Sequence, residues 1–262
     1  MLTLESSYYV AKREINKCNM KELDLSEIKF FTPTMLLLLL DFRRKHNLET
    51  FVTSNTLDYV KRVLEIIPCN NTTSPFKILP KERDTVNGDV SLIMELLDRQ
   101  YGGMQTLFHL LDEMITNIYE HSQFENAYTL SQIYPRLGVT EISFYDDGIS
   151  IPKSYENAGY NFNNDCEAIE YSINGPSTLK ESGRGLGINT SIQLVTEGNR
   201  GQILIISRNG LYYINHHEVR YKPLDKQYNI KGTLVSIRVK PNQVQDFYQY
   251  MEKKTIRRKR RY

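Results

Sequence analysis

Three polar residues near the middle of the chain have the types and the spacing for acid–base and metal chemistry. Glu113, Asn117 and His121 recur at i, i+4 and i+8, so in an α-helix each is rotated by about 40° from the previous one and all share one stripe. A carboxylate there can activate a nucleophile, an amide oxygen can bind Mg²⁺ and an imidazole can contact phosphate. The alternative is a solvated helix face with one local hydrogen bond.

The same stretch carries the apolar pattern of a buried helix. The spacing predicts a helix over residues 104–122, whose core face consists of Leu107, Leu110, Leu111, Met114, Ile115 and Ile118. Because the polar stripe adjoins this face, we expect it to lie at the rim of a pocket.

A carboxyl group and a glycine follow a predicted strand. The strand covers residues 139–146 and leads into Asp146-Asp147-Gly148, where glycine permits a close backbone approach. A carboxylate at this position can accept a hydrogen bond from the amino group of adenine.

A glycine-rich run precedes another predicted helix. The run Gly183-Arg184-Gly185-Leu186-Gly187 would leave backbone N–H groups and the positive end of a helix dipole facing an anion. It does not follow a strand directly and lacks the downstream acid of a dinucleotide-binding fold. A Walker loop is excluded because neither Gly-Lys-Ser nor Gly-Lys-Thr occurs.

The composition is that of a folded protein. Of the 262 residues, 40% are hydrophobic and 24% are charged. The longest strictly apolar run, residues 35–40, is far shorter than the ~20 residues of a membrane helix, so no membrane partner is expected. The first residues lack the pattern of a secretory signal, and the cysteines at 18, 69 and 166 have no metal-ligand spacing. These features predict a cytoplasmic protein.

The basic charge is concentrated in the C-terminal tail. Residues 252–262 contain seven basic residues and one acid, a charge of +6, whereas the whole chain carries +2. Such a cluster can contact nucleic acid, an acidic partner or a membrane surface. The alternative is a solvated, frayed terminus.

The chain is predicted to have two domains and a tail. Residues 1–88 form the first unit, residues 89–248 the second and residues 249–262 the basic tail, with the boundary in a loop-like stretch from 69 to 88. In the first unit the periodicity predicts strands over 8–15, 22–25 and 49–53 and helices over 34–46 and 55–67.

Longer elements are predicted in the second unit. The helices cover 91–101, 104–122, 165–174 and 187–196, and the strands cover 127–134, 139–146, 202–207, 211–215 and 233–239. Asn209-Gly210 between apolar runs predicts a hairpin. We expect helices on one side of a largely antiparallel sheet.

The order of these motifs resembles the GHKL ATPase superfamily, which includes DNA gyrase, sensor histidine kinases and anti-sigma-factor serine kinases. Glu113 to Asn117 with His121 resembles its N box, and residues 146–152 resemble its first glycine box. Residues 183–187 resemble the second box, and Gly232-Thr233 resembles the closing Gly-Thr. The resemblance covers residues 90–245, and Ser150 stands where the family usually has glycine.

This resemblance implies a fold, a cofactor and a set of ligand contacts. The fold would be an α+β or α/β layer, the GHKL (Bergerat-type) α/β sandwich. Glu113 would be the general base and Asn117 would hold Mg²⁺. The remaining ATP contacts would come from His121, Asp146, Gly148, Ile151, Gly183, Arg184, Gly185, Leu186, Gly187 and Thr233, with Asp146 and Thr233 at the adenine and the second glycine box around the triphosphate.

The segment between the two glycine boxes corresponds to the ATP lid of this family. Thr178, Lys180 and Arg184 are placed to meet phosphates when a lid closes. The alternative is that these residues are mobile surface residues.

Glu113 also separates subclasses of the family. Sensor histidine kinases usually carry asparagine there, whereas hydrolytic members and the serine kinases carry glutamate. No phosphoacceptor helix pair precedes the ATPase region, and His109 lies within the helix that carries Asn117, which favours a structural role for it.

The first unit resembles, less specifically, the STAS domain of anti-anti-sigma factors. Residues 24–30, then Thr32-Pro33-Thr34-Met35 and the Leu-rich helix, resemble the strand, phosphoacceptor turn and helix of that family. Pro33 occupies the usual phosphoserine position and cannot be phosphorylated, so Thr34 is at best a displaced acceptor. This favours a degenerate docking domain, and a generic βαβα unit is the alternative.

Together these observations predict a Mg²⁺-ATP-binding protein that hydrolyses ATP slowly or transfers phosphate to a partner protein. The alternative is a non-catalytic interaction module in which ATP binding orders the lid. A nucleic-acid-associated factor that uses the basic tail is a third hypothesis. The sequence leaves a homodimer open.

Overall fold

The computed structural model describes residues 2–51, 60, 63–64, 76–82, 103–175, 187–251 and 259–261. Within these ranges the helices are α1 (Leu4–Lys17), α2 (Pro33–His46), α3 (Met104–Asn117), α4 (Ile151–Asn157), α5 (Asp165–Asn174) and α6 (Gly187–Gln193). The strands are β1 (Glu22–Asp24), β2 (Glu49–Phe51), β3 (Phe76–Ile78), β4 (Ala127–Tyr134), β5 (Val139–Asp146), β6 (Gln202–Ser207), β7 (Gly210–Asn215), β8 (Glu218–Pro223), β9 (Thr233–Val239) and β10 (Lys259–Arg261).

A large, mainly antiparallel sheet forms the centre of the fold. Its strand order is β10-β8-β7-β6-β9-β5-β4-β3, and each neighbouring pair from β8 to β3 is antiparallel. Strand β10, in the basic tail, lies parallel to β8. Strands β1 and β2 form a separate parallel pair. The predicted mixed α and β fold with a largely antiparallel sheet is confirmed.

Helices cover both faces of this sheet, so the prediction of helices on one side is wrong. Apolar residues of α3, α5 and α6 form one core with one face, and α1 and α2 form a second core with the other. The physical reason is visible in β6, where the consecutive residues 203–206 are all buried. A continuous apolar run of this kind is typical of a strand that is buried on both faces.

Helix α2 is enclosed because it lies between α1 and the sheet. Its residues 33–41 are all buried, as expected for a helix that is apolar all around. Its start follows local signals: Pro33 occupies the first turn and the Thr32 hydroxyl accepts a hydrogen bond from the backbone N–H of Met35. The predicted helix over 34–46 is confirmed.

The strand predicted over residues 8–15 is wrong, because this segment belongs to helix α1. Thr3 caps the helix by accepting a hydrogen bond from the Ser6 backbone N–H at 3.0 Å. Leu4, Tyr8 and Ala11, at helical spacing, are buried. The aromatic and β-branched residues that favour a strand by propensity are overridden by this packing against α2 and the sheet.

The helix predicted over 104–122 changes its winding before its end. It is α-helical to Asn117 and then forms a π-helical turn, Ile118–Ser122. The helix predicted over 187–196 changes in the same way, from α6 to a π-helical turn at Leu194–Gly198. Insertions of this type often mark functional sites.

The other predicted elements have mixed outcomes. The strands predicted from 127 to 239 and the helix over 165–174 are confirmed, whereas β8 was not predicted. The helix over 91–101, most of the helix over 55–67 and the boundary at residue 88 lie outside the described residues. The division into two domains and a tail stays a prediction.

Thr34, the displaced phosphoacceptor candidate, is fully enclosed between α2 and the sheet. Its hydroxyl and its backbone N–H donate to Glu141 Oε1 at 2.8 Å and 3.1 Å. Arg238 pairs with the same carboxylate at 2.7 Å, and all three side chains are buried. In the folded chain the Thr34 hydroxyl is therefore a structural donor.

In the described part of the chain, no helix is long and apolar enough to span a membrane.

Candidate functional site

A cavity of about 580 Å³ lies between α3, α4 and α5 and the ends of β5 and β9. Seven residues predicted from separate motifs line it: Glu113, Asn117, His121, Asp146, Ile151, Gly187 and Thr233. Gly148 lies in the turn just beyond Asp146. The remaining predicted residues, Thr178, Lys180, Gly183, Arg184, Gly185 and Leu186, lie outside the described residues.

Asp146 is the most deeply buried carboxyl group of this cavity. It ends β5, is only 4% exposed and lies directly opposite Thr233 on β9. Burial is the main cause that raises its pKa to about 7, and the neighbouring Asp147 contributes to this rise. The backbone N–H of Gly148, which donates to Asp146 Oδ1 at 3.0 Å, opposes this rise. Near neutral pH this group can therefore be either an acceptor or a donor.

Two glycines let the backbone close around Asp146. At Gly148 an added Cβ would collide with the carbonyl oxygen of Ser122, the last residue of the π-helical turn. The Ser122 oxygen accepts a hydrogen bond from the Ile149 N–H at 2.6 Å. At Gly232, where φ is +75°, a Cβ would collide with the carbonyl oxygen of Asp146. The turn that carries the carboxyl group thus requires glycine at both positions.

Thr233 belongs to a hydroxyl network that the sequence analysis missed. Its hydroxyl lies 2.9 Å from Ser207 Oγ, which also accepts the Ile151 backbone N–H at 2.9 Å. Ser207 is opposite Thr233 on β6. Only the register of the sheet brings these residues together. The predicted hairpin at Asn209-Gly210 placed Ser207 at a strand end but gave no sign of its partner on β9.

Ser150 has a local structural role at the start of α4. Its hydroxyl accepts the backbone N–H of Lys153 at 3.2 Å and caps the start of α4. The C-terminal part of α4 is held in place by Arg208. That side chain bonds Asp165 at 2.8 Å and Glu156 at 2.7 Å, and so connects α5 and α4 to the β6–β7 hairpin.

Glu113 faces the cavity from α3 and packs against Gly187. A Cβ at Gly187 would collide with the Glu113 carboxylate, so close contact requires glycine there. Burial raises the pKa of Glu113, and the nearby carboxylates of Asp112 and Glu120 raise it further. A carboxyl group with a raised pKa is better matched to accept a proton near neutral pH.

The histidines of this helix differ in their surroundings. Burial lowers the pKa of His121, with Glu120 opposing the change, so the neutral imidazole is favoured. His109 Nε2 lies 3.0 Å from Thr190 Oγ1, and its ring packs edge-on against Phe247. These contacts fit the structural role expected for His109, although it also lines the cavity.

The described lining is acidic near α3 and apolar near Asp146. Four carboxyl groups contribute to it, those of Asp112, Glu113, Glu120 and Asp146, whereas none of the described lining residues is lysine or arginine. The apolar lining residues are Met114, Ile118, Phe144, Ile149, Ile151, Ile188, Val235 and Met251. The apolar part can enclose a planar base, and a polyphosphate near the acidic part would require cations.

The described residues contain no group of three or more His, Cys, Asp or Glu side chains arranged to hold a metal ion. The oxygen atoms of the cavity lining therefore fit Mg²⁺ only when the ion is bound together with a nucleotide. Mg²⁺ is commonly held by one or two protein oxygens, with phosphate and water completing the octahedron. Asn117, which lines the cavity, can supply such an oxygen.

Comparison with known proteins adds no family to these observations. No protein-family model matches the chain, and searches of curated proteins and of solved structures found no match. The assignment of a function therefore depends on the geometry and chemistry of the cavity.

Proposed function

We propose that this cavity binds Mg²⁺-ATP and that the protein is a GHKL-type ATPase or kinase-like regulatory protein. It would hydrolyse ATP slowly or transfer phosphate to a partner protein. One observation carries the proposal: residues from motifs far apart in the sequence line a single cavity, with the buried Asp146 directly opposite Thr233.

The adenine pocket is the best supported part of this proposal. The exocyclic amino group of adenine would donate to Asp146, and the apolar residues beside it would cover the ring. Guanine presents a carbonyl oxygen at the same edge, and the ionised carboxylate of Asp146 cannot form a hydrogen bond with it. A site that leaves a buried polar group unpaired discriminates strongly against the wrong ligand.

Phosphate chemistry would take place at the α3 end of the cavity. Mg²⁺ bound with the nucleotide would neutralise phosphate charge, which is the main requirement of phosphoryl transfer. Asn117 would hold this ion. Glu113 would accept the proton of the attacking water or of a partner hydroxyl, a role to which its raised pKa is suited.

For the first 88 residues we propose a separate role, in docking. A degenerate STAS-like docking domain is compatible with a β1–β2 parallel pair and with α2. The enclosed hydroxyl of Thr34 favours docking over phosphorylation at that position.

The test is to incubate the purified protein with Mg²⁺ and ATP labelled at the γ-phosphate, and to follow free phosphate and protein-bound label separately. Free phosphate indicates a hydrolase, and label on a partner or on the chain itself indicates a kinase. Binding without either product supports the alternative, a non-catalytic ATP-gated interaction module. Absence of ATP binding at millimolar concentration, or equal affinity for ATP and GTP well above neutral pH, where Asp146 is ionised, would refute the proposal.

A further inference from the structure

An ion pair connects helix α2 to the turn that carries the candidate adenine carboxyl group. Lys45, in the last turn of α2, has its Nζ atom 2.7 Å from Asp41 Oδ2 and 3.4 Å from Asp147 Oδ2. Asp147 follows Asp146 directly in the chain, and its side chain is fully buried. The contact therefore joins the helix layer on one face of the sheet to a cavity on the other.

Asp147 connects this turn to the segment that precedes β4. Its Oδ1 accepts the backbone N–H groups of Glu125 and Asn126 at 2.9 Å and 2.8 Å, and its Oδ2 accepts the side-chain amide of Asn126 at 3.1 Å. Although burial opposes ionisation, the hydrogen bonds from Asn126 and Glu125 and the charge of Lys45 keep the pKa of Asp147 below its ordinary value. A buried carboxylate of this kind needs a nearby cation.

We propose that Lys45 is a positioning residue for the candidate nucleotide site. By neutralising Asp147, it holds the turn from Asp146 to Gly148 in place and keeps Asp146 able to act as an anionic acceptor. The effect of Lys45 on the ionisation of Asp146 does not depend on the proposed function, whereas its effect on nucleotide affinity rests on the proposed function.

The charged and titratable groups around Asp146 and Asp147 determine the direction in which the pKa of Asp146 changes. Asp41 and Lys45 face these two carboxyl groups from α2, Tyr128 from β4 and Tyr145 from β5. Ser122 and Thr233 contribute neutral hydroxyls. Lys45 is the cation in this group that contacts Asp147. Its removal leaves the negative charge of Asp147 without compensation, so the pKa of Asp146 must rise further.

The direct test is the titration of Asp146 in the unliganded protein. Carboxyl carbon NMR follows its ionisation, and the resonance is assigned by its loss in Asp146→Asn. We expect Lys45→Met to raise the midpoint by about one pH unit, the lower end of the effect of a neighbouring charge. Lys45→Gln, which retains a hydrogen-bond donor but no charge, should give the same direction and serves if the methionine variant does not fold. Lys45→Arg should restore the wild-type midpoint.

The second readout is ATP affinity as a function of pH, measured by calorimetry and expressed as the ratio of variant to wild type. If the ionised carboxylate binds adenine, a shift of one pH unit weakens the affinity of Lys45→Met about tenfold well below neutral pH. Near pH 9, where Asp146 is ionised in both proteins, the two affinities should be nearly equal. Lys153→Met is the matched control, because Lys153 is 53% exposed and pairs with Glu156 on α4.

Asp41→Asn separates the ion pair within α2 from the contact with Asp147. This variant removes the negative charge 2.7 Å from Lys45 but leaves Lys45 beside Asp147, so it should not raise the midpoint of Asp146.

The outcomes distinguish this inference from the proposed function. An unchanged Asp146 midpoint in folded Lys45→Met or Lys45→Gln protein overturns the inference, as does a loss of affinity that is the same at every pH. A raised midpoint in a protein that does not bind ATP supports the role of Lys45 and refutes the proposed function.

Discussion

Replacing Asp146 with asparagine should stabilise the unliganded protein above neutral pH and weaken nucleotide binding. Asp146 is buried, and burial raises its pKa from 3.8 to about 7. Between these values the unfolded chain releases this proton and the folded chain retains it, so the free energy of unfolding falls as pH rises. At about 1.4 kcal/mol for each pH unit, ionised Asp146 costs roughly 3–5 kcal/mol above pH 7.

Asp146→Asn removes this cost, so the variant should gain stability relative to the wild type as pH rises from about 4 to about 7. The measurement is urea unfolding of both proteins at pH 5 and pH 8. The change in their stability difference between the two pH values isolates Asp146, because the other titrating groups are common to both. Asp246→Asn, at an exposed position with a positive φ that asparagine tolerates, is the matched control.

The same variant should bind Mg²⁺-ATP less tightly by about 1.5–3 kcal/mol, the usual contribution of a hydrogen bond to a charged group. A residue that costs stability and supports binding is typical of a functional site. The reasoning is refuted if the stability difference is independent of pH. The adenine assignment is refuted if ATP affinity is unchanged.

Further perturbations test other parts of the structure. Asn117→Ala should lose Mg²⁺-ATP affinity, whereas Glu113→Ala should retain this affinity and lose turnover by about 10²- to 10⁴-fold. Calorimetry measures the affinity and steady-state kinetics measures the turnover, and unchanged turnover in Glu113→Ala excludes Glu113 as the base. Deletion of residues 253–262 should leave ATP binding intact and remove any binding to polyanions that falls steeply with salt; loss of nucleotide binding would show that the tail belongs to the site. Thr34→Val should destabilise the fold by about 1–3 kcal/mol in urea unfolding, because Glu141 loses a buried donor, whereas Thr34→Ser should retain most of the stability. Equal stability of the serine and valine variants would contradict the role of this hydroxyl.

Elements with strong local signals were predictable from the sequence. The start of α2 is specified by Pro33 and the Thr32 cap. The β6–β7 hairpin was predicted from Asn209-Gly210, but its loop lies one residue earlier, at Arg208-Asn209, because Gly210 pairs with Ser207. Helix α1 was missed because its aromatic and β-branched residues favour a strand until α2 and the sheet are present to bury them. The second helical layer could be found only from the continuous apolar run in β6.

In the candidate site, too, the residues within short motifs were predictable and those that depend on tertiary contacts were not. The carboxyl group of Asp146 and the polar residues of α3 are recognisable within short motifs. Ser207 and Lys45 were not recognisable from the sequence, because neither lines the cavity. Ser207 contacts Thr233 through the strand register, and Lys45 contacts Asp147 from a distant part of the chain. The π-helical turn that ends in Ser122 brings the carbonyl group of this residue against Gly148 and Ile149, and the residue types alone do not specify this contact.

The position of α2 has a consequence for the synthesis of the protein. Its apolar run leaves the ribosome early, but the sheet face that covers it includes β9, and Thr34 bonds Ser236 from a distance of 202 residues along the chain. Until that strand is made, the leucines of α2 have no complete sheet to pack against. Contacts of such high sequence separation slow folding and expose apolar surface to aggregation. We expect the nascent chain to require a chaperone at this helix, and fragments that end before β9 to be insoluble.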